Sequence, residues 1–208
     1  MEKMTRAQKT DYLLSEVKKQ MDANGGILKT SQITNLGIDY RRILAWVKDG
    51  TLDRVKSGYY SFGYKKRPEE ELIRGLFGDA VLCLDSALYY HHYIAVKPYA
   101  WHLAVDKNTS KSRFKMEYPV IAPYYTEPEV LSLGVTQIPF ALGQMKIYTK
   151  ERMICDCLKY EEKMDRDIFK RALLSYLADG SKDIAELLRI AKLRKVLQKV
   201  HNRIGVWL

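Results

Sequence analysis

Cysteine is scarce in this chain, with three in 208 residues: Cys83, Cys155 and Cys157. An odd and sparse set cannot build a disulfide framework. No second Cys pair or His pair stands at the spacing of a zinc site. Buried thiols in a reducing compartment are the reading this set supports. Long apolar runs are also missing. Charges interrupt every candidate well short of the roughly 18 residues that a membrane span requires. The opening MEKMTRAQKTDYLL lacks the apolar core of a secretory leader. The expected location is therefore cytoplasmic, with no membrane partner. A Walker A loop and a dinucleotide-binding glycine pattern are absent too, so no cofactor and no metal is expected.

What is present begins with charge. The hydrophobic fraction of 47% and charged fraction of 29% belong to an ordinary globular protein. The net charge of +10 is unevenly spread. Residues 1–67 hold 14 Lys and Arg against 7 Asp and Glu, whereas residues 68–208 hold 21 against 18. Two-thirds of the excess thus lies in one-third of the chain. A local basic surface favours a polyanionic partner through steering and counterion release.

The basic third has a readable order of elements. Residues 6–22 have helical periodicity, with Tyr12 and Leu13, Val17 and Met21 expected on one face. Gly25-Gly26 stops that helix. Thr30 or Ser31 then caps a short helix carrying Gln32 and Ile33, which ends at Leu36-Gly37. Asp39 is a natural cap for a third helix, with Tyr40, Ile43, Leu44 and Val47 on its apolar side. That assignment points Arg41, Ala45 and Lys48 outward, with Arg42 and Trp46 beside them. Lys48 suits the helix C-terminus, and Gly50 supplies a left-handed stop. LDRVKSGYYSF alternates as two strands around a Ser57-Gly58 turn. Helix, helix, turn, helix and hairpin in this span is the winged helix-turn-helix plan. It assigns DNA contacts to Thr30, Ser31, Gln32, Tyr40, Arg41, Arg42 and Lys48, and to a wing carrying Arg54, Lys56, Ser57 and Tyr59.

YKKRPEEE, residues 64–71, has the composition of a linker, which sets the expected domains at 1–67 and 68–208. The second part mixes strand-like stretches with helix and ends in about four helical segments. The fold class expected is α+β: an N-terminal winged helix-turn-helix followed by a mixed sheet-and-helix domain that ends in a helical bundle. Lys192, Lys195, Lys199 and Arg203 recur at spacings that an unbroken helix would align, with Val196, Val200 and Ile204 buried beside them. Together with Lys107, Lys111, Arg113 and Lys115 in DKNTSKSRFK, they either extend a DNA-backbone track or solubilise the surface.

No stretch has the arrangement of an active site, and no catalytic residue is expected. In DSALYYHH, Asp85 or Ser86 is a helix cap, and a short helix turns Ser86 and His91 onto divergent faces. No Gly-x-Ser-x-Gly elbow exposes the hydroxyl. In ERMICDC, Asp156 stands at i, i+4 from Arg152 and is expected to pair with it.

In three blocks the chain resembles the AbiEi-type antitoxins, regulators of type IV toxin–antitoxin modules. LKTSQITNLGIDYRRILAWVKDGTLDRVKSGYY is similar to that family's winged-helix start. VLCLDSALYYHH is similar to the strand and helix that open its C-terminal domain. IYTKERMICDCLKY, followed by FKRALLSYLADGSKDIAELLRIAKL, is similar to its later helices. The resemblance covers nearly the whole chain. It implies a winged helix that binds inverted-repeat, double-stranded operator DNA and represses its own operon. It also implies a C-terminal domain that counteracts a nucleotidyltransferase-like toxin, with no stable complex required. Where that family's wing often carries a basic residue before the glycine, this chain has Ser57. The alternative from another class is a protein-interaction module that binds a toxin or other partner directly, with only nonspecific DNA affinity.

Overall fold

The structure, a computed structural model, describes residues 5–207. It is mixed α+β and divides into two compact units. The first runs to Gly78 and takes in Lys115–Pro119 and Phe140–Gly143; the second holds Asp79–Phe114, Val120–Pro139 and the residues from Gln144 onward. The division therefore falls eleven residues beyond the expected 67/68 boundary. The reason is burial: Tyr64 is buried in a 3-10 turn, and the next helix buries Leu72, Ile73, Leu76 and Phe77. A segment that looks like a polar linker is thus the entry to another packed helix.

In the first unit, α1 (Arg6–Ala23) opens with a reciprocal cap, Thr5 Oγ1 accepting from the Gln8 N–H and Gln8 Oε1 accepting from the Thr5 N–H. After Gly25-Gly26 come β1 (Leu28–Lys29), α2 (Thr30–Thr34) and α3 (Tyr40–Lys48). Neither Thr30 nor Ser31 caps α2. Lys29 occupies the cap position, and Gln32 Oε1 reaches back to its N–H at 2.8 Å. Asp39 does cap α3, accepting from the Arg41 N–H at 2.7 Å. Gly50, at φ 76°, lets the chain turn into β2 (Asp53–Lys56) and β3 (Tyr59–Ser61), joined at Gly58. The three strands form an antiparallel sheet in the order β1-β3-β2. Val17, Met21, Leu28, Ile33, Ile38, Ile43, Trp46, Leu52 and Tyr60 make one core beneath it. Tyr12 departs from the periodic assignment, being 56% exposed, while Leu13 and Leu14 pack on the core. The unit continues into α4 (Glu69–Phe77).

The second unit is built on a five-stranded sheet in the order β6-β5-β4-β8-β7. Its elements in sequence are β4 (Val81–Leu82), α5 (Leu84–Tyr90), β5 (Trp101–Asp106), β6 (Ile121–Thr126), α6 (Pro128–Leu131), β7 (Val135–Phe140) and β8 (Gly143–Tyr148). Four helices follow: α7 (Lys150–Lys159), α8 (Arg166–Ala178), α9 (Ile184–Leu193) and α10 (Leu197–Ile204). β4 pairs antiparallel with β5 and parallel with β8. Asp85 and Ser86 lie inside α5, whose cap position is Cys83, so neither is the cap.

A buried charge network ties these elements together. Arg152 and Asp156 form the expected i, i+4 pair at 3.0 Å, with side chains 0% and 4% exposed. Its partners lie well beyond α7. Arg152 Nη1 donates to the carbonyls of Val130 and Leu133 at 2.6 and 2.7 Å, and its guanidinium lies 4.0 Å above the Tyr148 ring. Arg194, which follows α9, closes on the other oxygen of Asp156 at 2.6 Å. Gly134 makes room for this packing, since a Cβ there would come within 2.7 Å of Arg152 Cβ. The three cysteines are buried nearby, and burial raises all three thiols, Cys155 to about 12.

The C-terminal basic stripe is not formed. α9 and α10 are separate helices, and Lys195 between them adopts a left-handed φ of 58°. The Val196 N–H bonds to Ala191 O and the Lys195 N–H to Lys192 O, the paired bonds of a Schellman stop. A lysine occupies the place where glycine is usual, so nothing local announces the break. Val196, Val200 and Ile204 are buried as expected.

Candidate nucleic-acid interface

α3 decides which side chains the first unit presents. Buried Ile43 and Trp46 fix its inner face, with Trp46 only 4% exposed. Tyr40, Arg41, Leu44, Ala45 and Lys48 face outward, while Arg42 is half-buried at the margin. The helix is therefore turned relative to the face assigned from periodicity: Trp46 is core, and Leu44 and Tyr40 are surface. Both registers satisfy a 3.6-residue repeat, and only the packing of the indole against the unit's core chooses between them. No carboxylate lies on the exposed stripe; Asp39 and Asp49 stand at its two caps.

The hairpin divides its charges between two faces. Arg54 pairs across the ladder with Tyr60, and Lys56 with Tyr59. Directly opposed residues share a face and successive ones alternate. Arg54 thus lies on the Tyr60 side. Burial, above all, holds the pKa of the Tyr60 phenol above its ordinary value, with smaller effects from Thr30, Tyr40 and Arg54. Arg54 also reaches Ser57 Oγ at 3.4 Å.

Lys56 and Tyr59 take the other face. The Lys56 ammonium lies 4.5 Å from the Tyr59 ring and 5.0 Å from the Phe77 ring. Lys29 approaches the same tyrosine at 5.9 Å. The placing of Arg54 and Lys56 together on the wing is corrected accordingly: a register shift between them in β2 sets them opposite Tyr60 and Tyr59, successive residues that point to opposite faces.

All of the predicted set lies on α2, α3 and the adjoining hairpin, and Ser31, Gln32, Tyr40, Arg41, Lys48, Arg54 and Ser57 are exposed there. The hydroxyl and N–H of Thr30 both donate to Gly58 O, at 3.3 and 2.9 Å, which fastens α2 to the hairpin turn. Thr30 is thereby a positioning group. Gln32 is engaged at its own helix start, and Ser31 is exposed there. Leu44 and Lys29 escaped the sequence reading. Leu44 fits either face, and Lys29 acquires its place only through its register with Tyr59.

The second predicted set is half paired. Arg113 forms a bidentate pair with Asp79, and Lys107 an ion pair with Glu127. Lys199 donates to Leu158 O and lies 3.8 Å from Glu161, which also holds Arg203. Lys111, Lys192 and Lys195 are exposed, with no ion pair among the described residues.

The residues of DSALYYHH do not converge. Ser86, 1% exposed, accepts from the His102 N–H at 2.9 Å, and His91 Nε2 lies 2.7 Å from Tyr148 O. Asp85 instead sits beside His102, carboxylate oxygen to Nδ1 at 3.8 Å. Burial raises the Asp85 carboxyl and lowers both His91 and His102. Asp85 and His102 line a cleft of about 650 Å³ together with the Ile94–Ala100 loop and Asp167, Ile168 and Arg171 of α8. No helix among the described residues is long and apolar enough to cross a membrane. No protein-family model matches this chain, and no curated protein matches it.

Proposed function

We propose that the first unit is a winged helix-turn-helix that reads double-stranded DNA, with α3 entering the major groove and the β2–β3 hairpin as its wing. One observation carries this reading: the exposed stripe of α3 holds Arg41 and Lys48 and no carboxylate, and Arg54 is exposed on the hairpin that follows it. Phosphate contacts set affinity and base-edge contacts set sequence choice. Arg41, near the helix N-terminus, is the base reader, and Lys48 and Arg54 hold the backbone.

The order of elements and the three resembling blocks support a role like that of the AbiEi-type antitoxins. In this reading the chain represses its own operon from inverted repeats. Its second unit counteracts a nucleotidyltransferase-like toxin in the cytoplasm, without enzymatic activity or a cofactor. Gel shifts on the DNA upstream of its own gene, with salt titrated, test the first half. Arg41→Ala is expected to lose roughly 10- to 100-fold on the specific duplex and little on bulk DNA. Lys48→Ala is expected to weaken both alike and to flatten the salt dependence. Sequence-independent binding alone, with Arg41→Ala matching wild type, sinks the operator reading. Co-expression with the product of the adjacent gene tests the second half, and equal lethality with and without this chain ends it.

A direct protein-binding role for the second unit has its own support. Val96 and Tyr99 are 77% and 87% exposed on the loop that borders the 650 Å³ cleft. A stable complex between this chain and that same gene product, weakened by Tyr99→Ala, favours this alternative.

A further inference from the structure

The exposed stripe of α3 is not uniformly polar. Tyr40, Leu44 and Lys48 follow one another at i, i+4 and i+8 and so form one line along the helix. Leu44 occupies its centre at 42% exposure, between Tyr40 at 46% and a lysine. Ala45, beside it, adds a second apolar group and leaves space for close approach. A lone exposed leucine requires no explanation. Here it stands in the middle of the carboxylate-free face, flanked by the two cations that suit a polyanion. Major-groove base edges offer such a side chain one apolar partner, the 5-methyl group of thymine. Arginine, by contrast, matches the paired acceptors of guanine.

We infer that Leu44, with Ala45 beside it, is a specificity-determining contact to thymine methyl groups. The sequence read by this chain then places an A·T pair next to the position read by Arg41. This inference rests on the DNA-reading role proposed above.

Duplexes selected by the full chain from a random-sequence pool provide the test. Each thymine is replaced in turn by deoxyuridine, which removes only the methyl group. Wild type is expected to lose about fourfold at one or two positions, the factor set by burial of a single methyl. Leu44→Ala is expected to bind the parent duplex more weakly by a similar factor and to be indifferent to deoxyuridine there. Leu44→Gln, which preserves helix propensity, should share that indifference, and Arg41→Ala should retain the sensitivity. Wild type insensitive at every thymine, or a Leu44→Ala chain as sensitive as wild type, overturns the inference and leaves DNA reading standing. A pool that yields no duplex bound above bulk DNA overturns the DNA reading itself, and this inference with it.

Discussion

Asp156→Ala is expected to destabilise the second unit by roughly 3–5 kcal/mol, because it strands two buried guanidiniums without a counter-charge. Arg152 and Arg194 are 0% and 4% exposed and converge on the two oxygens of this carboxylate. The backbone carbonyls on Arg152 satisfy hydrogen bonds but carry no net charge. For a chain of this size the unfolding midpoint should fall by about 2–4 °C per kcal/mol. Asp156→Asn keeps a hydrogen-bonding group of the same shape and should recover only part of the loss. Glu186→Ala is the control. It breaks a pair whose arginine side chain is 54% exposed, and such pairs contribute about 0–1 kcal/mol. Thermal melts in which Asp156→Ala and Glu186→Ala behave alike would show that the buried network holds nothing together.

Trp46→Ala is the second large effect, expected to cost roughly 3–5 kcal/mol in the first unit. The indole is 4% exposed in a core with Ile43, Leu52 and Tyr60. Its backbone carbonyl also accepts from the Leu52 N–H at 3.0 Å, so the same residue marks where α3 turns toward the hairpin. Leu44→Ala, two positions earlier, should change stability by no more than about 0.5 kcal/mol. Hydrogen exchange separates the cases: Trp46→Ala should lose protection across residues 28–61, and Leu44→Ala should not. If the two variants exchange alike, the face assigned to α3 is wrong. Under the DNA-reading proposal the comparison bears on function as well, since loss of binding in Trp46→Ala would report an unfolded unit, whereas loss in Leu44→Ala would report a missing contact.

Much of the first unit was legible because its signals are local. Asp39 caps α3 through an N–H two residues away, and Gly50 and Gly58 hold φ near 76°, where residues with a side chain are strained. Arg152 and Asp156 pair at i, i+4, a spacing any helix imposes. The candidate interface was legible only in part. Arg41 and Lys48 were assigned outward and Arg54 to the wing, and all three are exposed, while a register shift in β2 sets Lys56 against Tyr59 on the opposite sheet face. The basic stripe of the last helices was illegible because its break needs a left-handed lysine, a conformation no residue type there advertises.

The sequence alone therefore determined where α3 starts and stops, where the hairpin turns and which third of the chain is basic. Each of those depends on the backbone preferences and charge of a few neighbouring residues. Tertiary structure alone decided that Trp46 goes in and Leu44 out, that α4 belongs to the first unit, and that Asp156 answers two arginines. A helical repeat fits two registers almost equally well, and a carboxylate attracts whichever cations the fold delivers. Packing volume and desolvation break those ties, and both act between residues far apart in the chain.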